Sequence, residues 1–154
     1  MEINGVIVKE LEKFDDMRGW LLEYYRQDEV KKENYAVMSY ISLTKPGMAR
    51  GPHEHKEQSD YFCFLGTSVF KIYLWDNRIN SPTYRKKVTL TAEKDKPLVV
   101  IIPPHVVHAY KNAGKDAGLA INCPNRLFRG MGKNQAVDEI RYEDVRDCPF
   151  VLDD

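Results

Sequence analysis

Apolar and polar positions alternate in short stretches along most of the chain, with little helical spacing. The clearest case is 68–76, where Phe70, Ile72 and Leu74 alternate with Lys71, Tyr73 and Trp75. That period of two marks a strand with one apolar face and one long, amphipathic face. Similar patterns predict strands over 5–14, 19–26, 35–44, 59–65, 83–93, 106–112 and 117–123. The run Pro97–Pro104 is apolar throughout, as in a strand buried on both faces. Turn chemistry separates them at Met17-Arg18-Gly19 and Lys45-Pro46-Gly47, and Gly66-Thr67 predicts a hairpin between 59–65 and 68–76. Residues 27–34 fit one helical turn, and 137–145 fits a short helix. About nine short strands at regular spacing predict an all-β sandwich or jelly-roll barrel, one domain over 1–154, with any ligand held in the barrel mouth.

Composition narrows the function classes. The 154 residues carry 23 Lys plus Arg against 23 Asp plus Glu, so no overall field draws the chain to nucleic acid or an anionic membrane. No apolar run approaches the roughly 20 residues a membrane helix needs. The first residues lack the charged and apolar regions of a signal peptide, which predicts a cytoplasmic protein. Cys63, Cys123 and Cys148 are odd in number and form no CxxC, which argues against a disulfide framework or structural zinc. Cys63 reads as a core thiol.

The chain has 4 histidines, in two pairs: His53 with His55, and His105 with His108. Residues i and i+2 of a strand share a face, so His53 and His55 project together. Paired histidines beside barrel strands point to proton transfer or metal ligation.

These residues carry a resemblance. Gly47, His53-x-His55 and Gly66 are similar to the first cupin motif, and Pro103-x-His105-x-x-His108-x-x-x-Asn112 to the second, with His105 where that motif usually has Gly. The resemblance implies a cupin, or double-stranded β-helix, barrel. The glutamate that metal-binding cupins carry between the motifs is not evident, since Ser59 or Asp60 occupies that stretch. A metal reading would use His53, His55 and His108.

A longer set of blocks resembles dTDP-4-dehydrorhamnose 3,5-epimerase. They are Phe14–Trp20, Gly47–His53, Asp76–Tyr84, Ile102–Tyr110 and Glu139-Ile140, in that order. The resemblance implies a cupin homodimer that exchanges N-terminal strands, uses no metal or other cofactor, and epimerises nucleotide-linked 4-keto-6-deoxy sugars. The residue types suit that chemistry. A C–H beside a ketone needs a base, here His53, and donors where the enolate oxygen gains charge. The diphosphate needs arginine forks. Arg50 and Arg18 are expected there, Arg18 reaching from the partner subunit, with Arg78 on the rim. Tyr40, Tyr61 and Tyr73 are candidates to donate to the keto oxygen, Tyr61 among the catalytic groups. Gln58 and His108 are expected among the substrate contacts, and Trp75 either stacks on the base or packs.

Three features depart from the epimerase pattern. Ser59 follows Gln58 where the family carries a lysine, residues 125–128 read Asn-Arg-Leu-Phe where it carries a tyrosine, and the aspartate that pairs with the base histidine has no evident counterpart. Arg50-Gly51-x-His53-x-His55-Lys56 also resembles the sugar 3,4-ketoisomerases, which place two histidines at the site. Three readings follow: a sugar-nucleotide isomerase or epimerase in polysaccharide or glycan synthesis, a metal-dependent cupin, or a non-catalytic sugar-nucleotide binder.

Overall fold

The computed structural model describes residues 2–153. Twelve strands run in chain order: β1 Ile7–Glu10, β2 Lys13–Asp16, β3 Gly19–Leu22, β4 Tyr40–Thr44, β5 Ala49–His55, β6 Asp60–Phe64, β7 Phe70–Asp76, β8 Lys87–Ala92, β9 Leu98–Ile102, β10 Val106–Asn112, β11 Gly118–Asn122 and β12 Glu139–Arg141. They build two five-stranded antiparallel sheets, ordered β1-β9-β6-β11-β4 and β12-β5-β10-β7-β8. β2 and β3 form a separate two-stranded ribbon. The all-β prediction holds; most strands fall within the alternating stretches, but 5–14 breaks into β1 and the start of β2, and β5 and β12 lie outside all of them. No described helix is long and apolar enough to cross a membrane.

Alternation along each strand sorts the side chains into three layers. Phe62, Phe64, Phe70, Ile72, Leu74, Leu98, Val100, Ile102, Val106 and Tyr110 form the core between the sheets. The other face of the first sheet carries Tyr61, Cys63, Val99, Ile101 and Ile121, covered by Leu22, Tyr24, Tyr25 and Val30. The other face of the second carries Tyr73, Trp75, Val107 and Ala109, covered by Tyr142, Phe150 and Leu152. β9 is therefore buried on both faces, as its unbroken apolar run predicts.

Two expected local structures differ. β6 and β7 form no hairpin: β6 pairs with β9 and β11, and β7 with β10 and β8. Both strands are buried along nearly their whole length, so the Gly66-Thr67 turn crosses from one sheet to the other. Residues 137–145 hold no helix. Glu139–Arg141 adds a strand to the free edge of β5, and Tyr142 Oη then donates 2.6 Å to buried Glu54 Oε1. The backbone of β5 supplies hydrogen bonds that outweigh a short helix's weak local preference. Residues 27–34 do turn, as two single 3₁₀ turns at Gln27–Glu29 and Lys32–Asn34. Trp75 packs against Phe150 rather than facing a ligand.

Candidate active site

The strands of both sheets carry polar groups inward at one end of the barrel. His53 and His55 lie on β5, His108 on β10, Asp60 opens β6, Asn122 closes β11 and Tyr40 opens β4. His53 and His108 are cross-strand partners, with ring centroids 4.5 Å apart. A bulge follows: His53 faces His108, but Arg50 faces Tyr110, leaving an extra residue on β5. Gly51 occupies it with φ 83, and a Cβ there would lie 2.5 Å from the His108 carbonyl oxygen. Only glycine lets the two strands approach so closely. His105, by contrast, points away from the cluster and is half exposed. Its φ of 60 explains why glycine is usual at that motif position.

Asp60 is the hub. Its Oδ1 accepts from Gln58 Nε2 and Asn122 Nδ2, each at 2.8 Å. Its Oδ2 lies 3.1 Å from both His55 Nε2 and His108 Nε2. His108 Nδ1 is 3.0 Å from the Val106 carbonyl, and Gln58 Nε2 is also 3.2 Å from His55 Nε2. Burial alone would raise the Asp60 pKa, but the imidazoles of His108 and His55 hold it well below the usual carboxylate range. Burial opposes a charge on His55, yet Asp60, with Glu139 and Asp138 nearby, lifts its pKa above the ordinary value.

His53 is set apart. Burial, reinforced by the neighbouring His108 and His55 rings, pushes its pKa down and so favours the uncharged ring. Glu139 Oε1 and Glu143 Oε2 stand 3.5 and 3.9 Å from His53 Nδ1. A base buried against carboxylates is oriented by them and stabilised once it is protonated.

Of these groups, Tyr40, His53, His55, Gln58 and Glu139 line a cavity of about 1540 Å³. That exceeds the ~300–1,000 Å³ of a drug-sized ligand site, leaving room for something larger. The loop 124–138 forms the opposite wall, with apolar Leu127, Phe128 and Met131 beside cationic Arg126, Arg129 and Lys133.

The structure brings together His53, His55, Gln58, His108 and Tyr40. Tyr40 Oη accepts from Asn122 Nδ2 at 3.0 Å, and its ring lines the cavity. Other expected site residues lie elsewhere. Tyr61 and Tyr73 face outward, because they alternate with core Phe62 and Ile72. Their hydroxyls donate to the carbonyls of Tyr24 and Asp153. Arg78 clamps Asp76 and the Asn4 carbonyl. Arg50 donates to Thr44 Oγ1 and the Leu43 carbonyl, and Arg18 pairs with Asp16 on the exposed β2–β3 turn. None of these three arginines lines the cavity.

Sequence reading missed Asp60 and Glu139. Strand parity held the signal for the first: with Phe62 and Phe64 inward, Asp60 is inward and Tyr61 outward. The carboxylate sought between the cupin motifs is therefore present, as Asp60.

The family model described as dTDP-4-dehydrorhamnose 3,5-epimerase matches residues 1–144. The chain belongs to the dTDP-4-dehydrorhamnose 3,5-epimerase family. It is 37% identical over 128 residues to "Probable low-salt glycan biosynthesis epimerase Agl13" of Haloferax volcanii, covering 82% of this chain and 81% of that one. It is 34% identical over 113 residues to the spore coat polysaccharide biosynthesis protein SpsL of Bacillus subtilis, covering 73% and 74%. The fold matches a dTDP sugar isomerase from Desulfovibrio desulfuricans G20 with TM-score 0.82, at 22% identity over 99% of this chain and 91% of that one. Family membership places the chain among isomerase-class enzymes of sugar metabolism, and it confirms the resemblance carried by the sequence blocks.

Proposed function

We propose that the chain isomerises or epimerises a nucleotide-linked 4-keto-6-deoxy sugar in polysaccharide or glycan synthesis, with His53 taking the proton beside the keto group. One observation carries this reading: a largely buried His53 lines a large cavity with Glu139 Oε1 3.5 Å from its Nδ1. Enolate resonance acidifies the C–H beside the ketone, and the carboxylate stabilises the imidazolium formed by its transfer. In this reading Tyr40 and the His55 imidazole donate toward the enolate oxygen. Arg126, Arg129 and Lys133 take the diphosphate, and Phe128 offers a face to the base. The dTDP in the family's name makes thymidine diphosphate the first nucleotide to try.

The enzyme works as a homodimer in this reading. The β2–β3 ribbon joins neither large sheet and exposes Phe14, Trp20 and Leu21, which fits exchange with a partner, and Arg18 would then reach the partner's cavity. The free thiols of Cys63, Cys123 and Cys148 suit a reducing, cytoplasmic setting.

The test is incubation with dTDP-4-keto-6-deoxyglucose, and its other nucleotide forms, in deuterated water. Deuterium entering at a carbon beside the keto group, and lost in His53→Gln, is the expected result. Exchange at the wild-type rate in His53→Gln would overturn the assignment, and tight binding without exchange would favour a non-catalytic binder.

A further inference from the structure

Glu54 is a buried carboxylate on the strand that bears the base, and the proposed chemistry does not use it. It lies between His53 and His55 in β5, so its side chain faces the opposite side of the sheet, where it is 2% exposed. Its Oε1 accepts from Tyr142 Oη at 2.6 Å and from Asn77 Nδ2 at 3.0 Å. Its Oε2 is buried with no hydrogen-bond partner. A carboxylate buried with one oxygen unpaired is costly, so stability alone does not account for it.

β12 connects Glu54 to the site. It is a three-residue edge strand, paired with β5 as Glu139↔His55, Ile140↔Glu54 and Arg141↔His53. Paired residues share a face, so Glu139 and Arg141 lie on the histidine side and Ile140 on the Glu54 side. The next two residues keep the alternation: Tyr142 reaches Glu54, while Glu143 Oε2 stands 3.9 Å from His53 Nδ1. Three residues of backbone pairing specify a register weakly, and a slip of one residue would turn Glu139 to the other face, away from His53. Ile140 is only partly buried, so its packing does little to prevent that slip. Tyr142 is where the register is pinned. The Tyr142 and Glu143 amides donate to the Pro52 carbonyl at 2.9 and 3.2 Å, and Phe150 packs edge-on to the Tyr142 ring at 4.8 Å. Burial, followed by the bond to Glu54, pushes the Tyr142 pKa up to about 12, which keeps its hydroxyl a donor.

We propose that Glu54 is a positioning residue: through Tyr142 it locks β12 in register on β5 and so holds Glu139 beside His53. Glu54 touches no reacting atom and acts from the far face of the strand. Its effect on turnover rests on the proposed function, in which Glu139 orients the His53 ring and stabilises the imidazolium. Its effect on the ring itself does not: a carboxylate beside Nδ1 favours the tautomer with the hydrogen there and leaves Nε2 as the acceptor.

The test compares Tyr142→Phe, Glu54→Ala, Glu54→Gln and Glu139→Gln in the full chain. Tyr142→Phe keeps its ring against Phe150 and removes only the hydroxyl, so it carries the test if Glu54→Ala fails to fold. Deuterium exchange into dTDP-4-keto-6-deoxyglucose and its other nucleotide forms gives the kinetics. In Tyr142→Phe, kcat should fall about tenfold to a hundredfold with KM unchanged. Glu54→Gln, whose carbonyl oxygen still accepts from Tyr142, should recover most of the loss seen in Glu54→Ala. Adding Tyr142→Phe to Glu139→Gln should cost nothing further, because the group being positioned is already gone. Independently of turnover, ¹⁵N NMR of the His53 ring should show the Nδ1–H tautomer in wild type and a mixture of tautomers in Tyr142→Phe. Wild-type kcat in Tyr142→Phe, with only the melting temperature lowered, would make the bond purely structural and overturn the role. Losses that multiply in the double variant would overturn it too. If wild type exchanges no deuterium with any of these sugars, the proposed function fails and the ring decides alone. A tautomer mixture in Tyr142→Phe then supports the positioning, and an unchanged ring overturns it.

Discussion

The two ends of the barrel interior are built from the same strands to opposite purposes. β6 contributes Asp60 at one end and Phe62 and Phe64 at the other; β10 contributes His108 and then Tyr110. At the apolar end, Phe64, Phe70 and Tyr110 pack with ring centroids 5.3–5.7 Å apart, Tyr110 edge to face with both phenylalanines, and their burial stabilises the fold. At the polar end, the Asp60 carboxylate and the His108 imidazole are buried beside the partly buried His53 and His55 with atoms left unpaired, an arrangement that stability alone would not favour. The apolar end holds the strands rigidly enough for the polar end to keep its geometry. The division teaches which residues should matter for turnover and which for folding.

Substitutions at the two ends should separate these effects. His53→Gln is expected to cut turnover by about a thousandfold, about 4 kcal/mol of transition-state stabilisation, with little change in melting temperature. Steady-state kinetics beside thermal unfolding would show it. Phe64→Ala should do the reverse and lose about 3–5 kcal/mol of unfolding free energy in a denaturant titration, while the folded fraction retains its exchange activity. If both variants lost stability equally, the division would fail.

Arg78 and Tyr61 sharpen the contrast, because the sequence places both at the site and the geometry places neither there. Arg78→Ala should cost about 2 kcal/mol of stability and leave the turnover of folded protein unchanged, since Arg78 clamps Asp76. Burial works against the Asp76 charge, but Arg78, Ser81 and Thr83 hold its folded-state pKa below the ordinary value. Its contribution is therefore full above the ordinary carboxylate pKa and fades as pH falls toward the folded value. Acid unfolding midpoints of wild type and Arg78→Ala should converge at low pH. Tyr61→Phe should cost only about 1 kcal/mol, the bond to the Tyr24 carbonyl, with kcat and KM unchanged. A fall in kcat alone would return Tyr61 to the reaction.

How much of this was legible in the sequence depends on range. Strands, the double burial of β9 and the shared face of His53 and His55 follow from local alternation, which the chain displays residue by residue. The crossing from β6 to β7 was not legible, because a Gly-containing turn looks alike whether its strands pair or part. Nor was Glu139 beside His53, since that contact depends on 139–141 finding the edge of β5 across more than eighty residues. The arginines misled for a related reason. Arg18, Arg50 and Arg78 carry the right charge in motif-like blocks, but their partners within the chain, Asp16, Thr44 and Asp76, are visible only once it folds.

The most direct test of the central claim is a crystal structure with a nucleotide-diphosphate 4-keto sugar bound. The account predicts the carbon beside the keto group within about 3.5 Å of the His53 ring, and the diphosphate along Arg126, Arg129 and Lys133. A sugar turned away from His53, or seated outside the cavity, would contradict it.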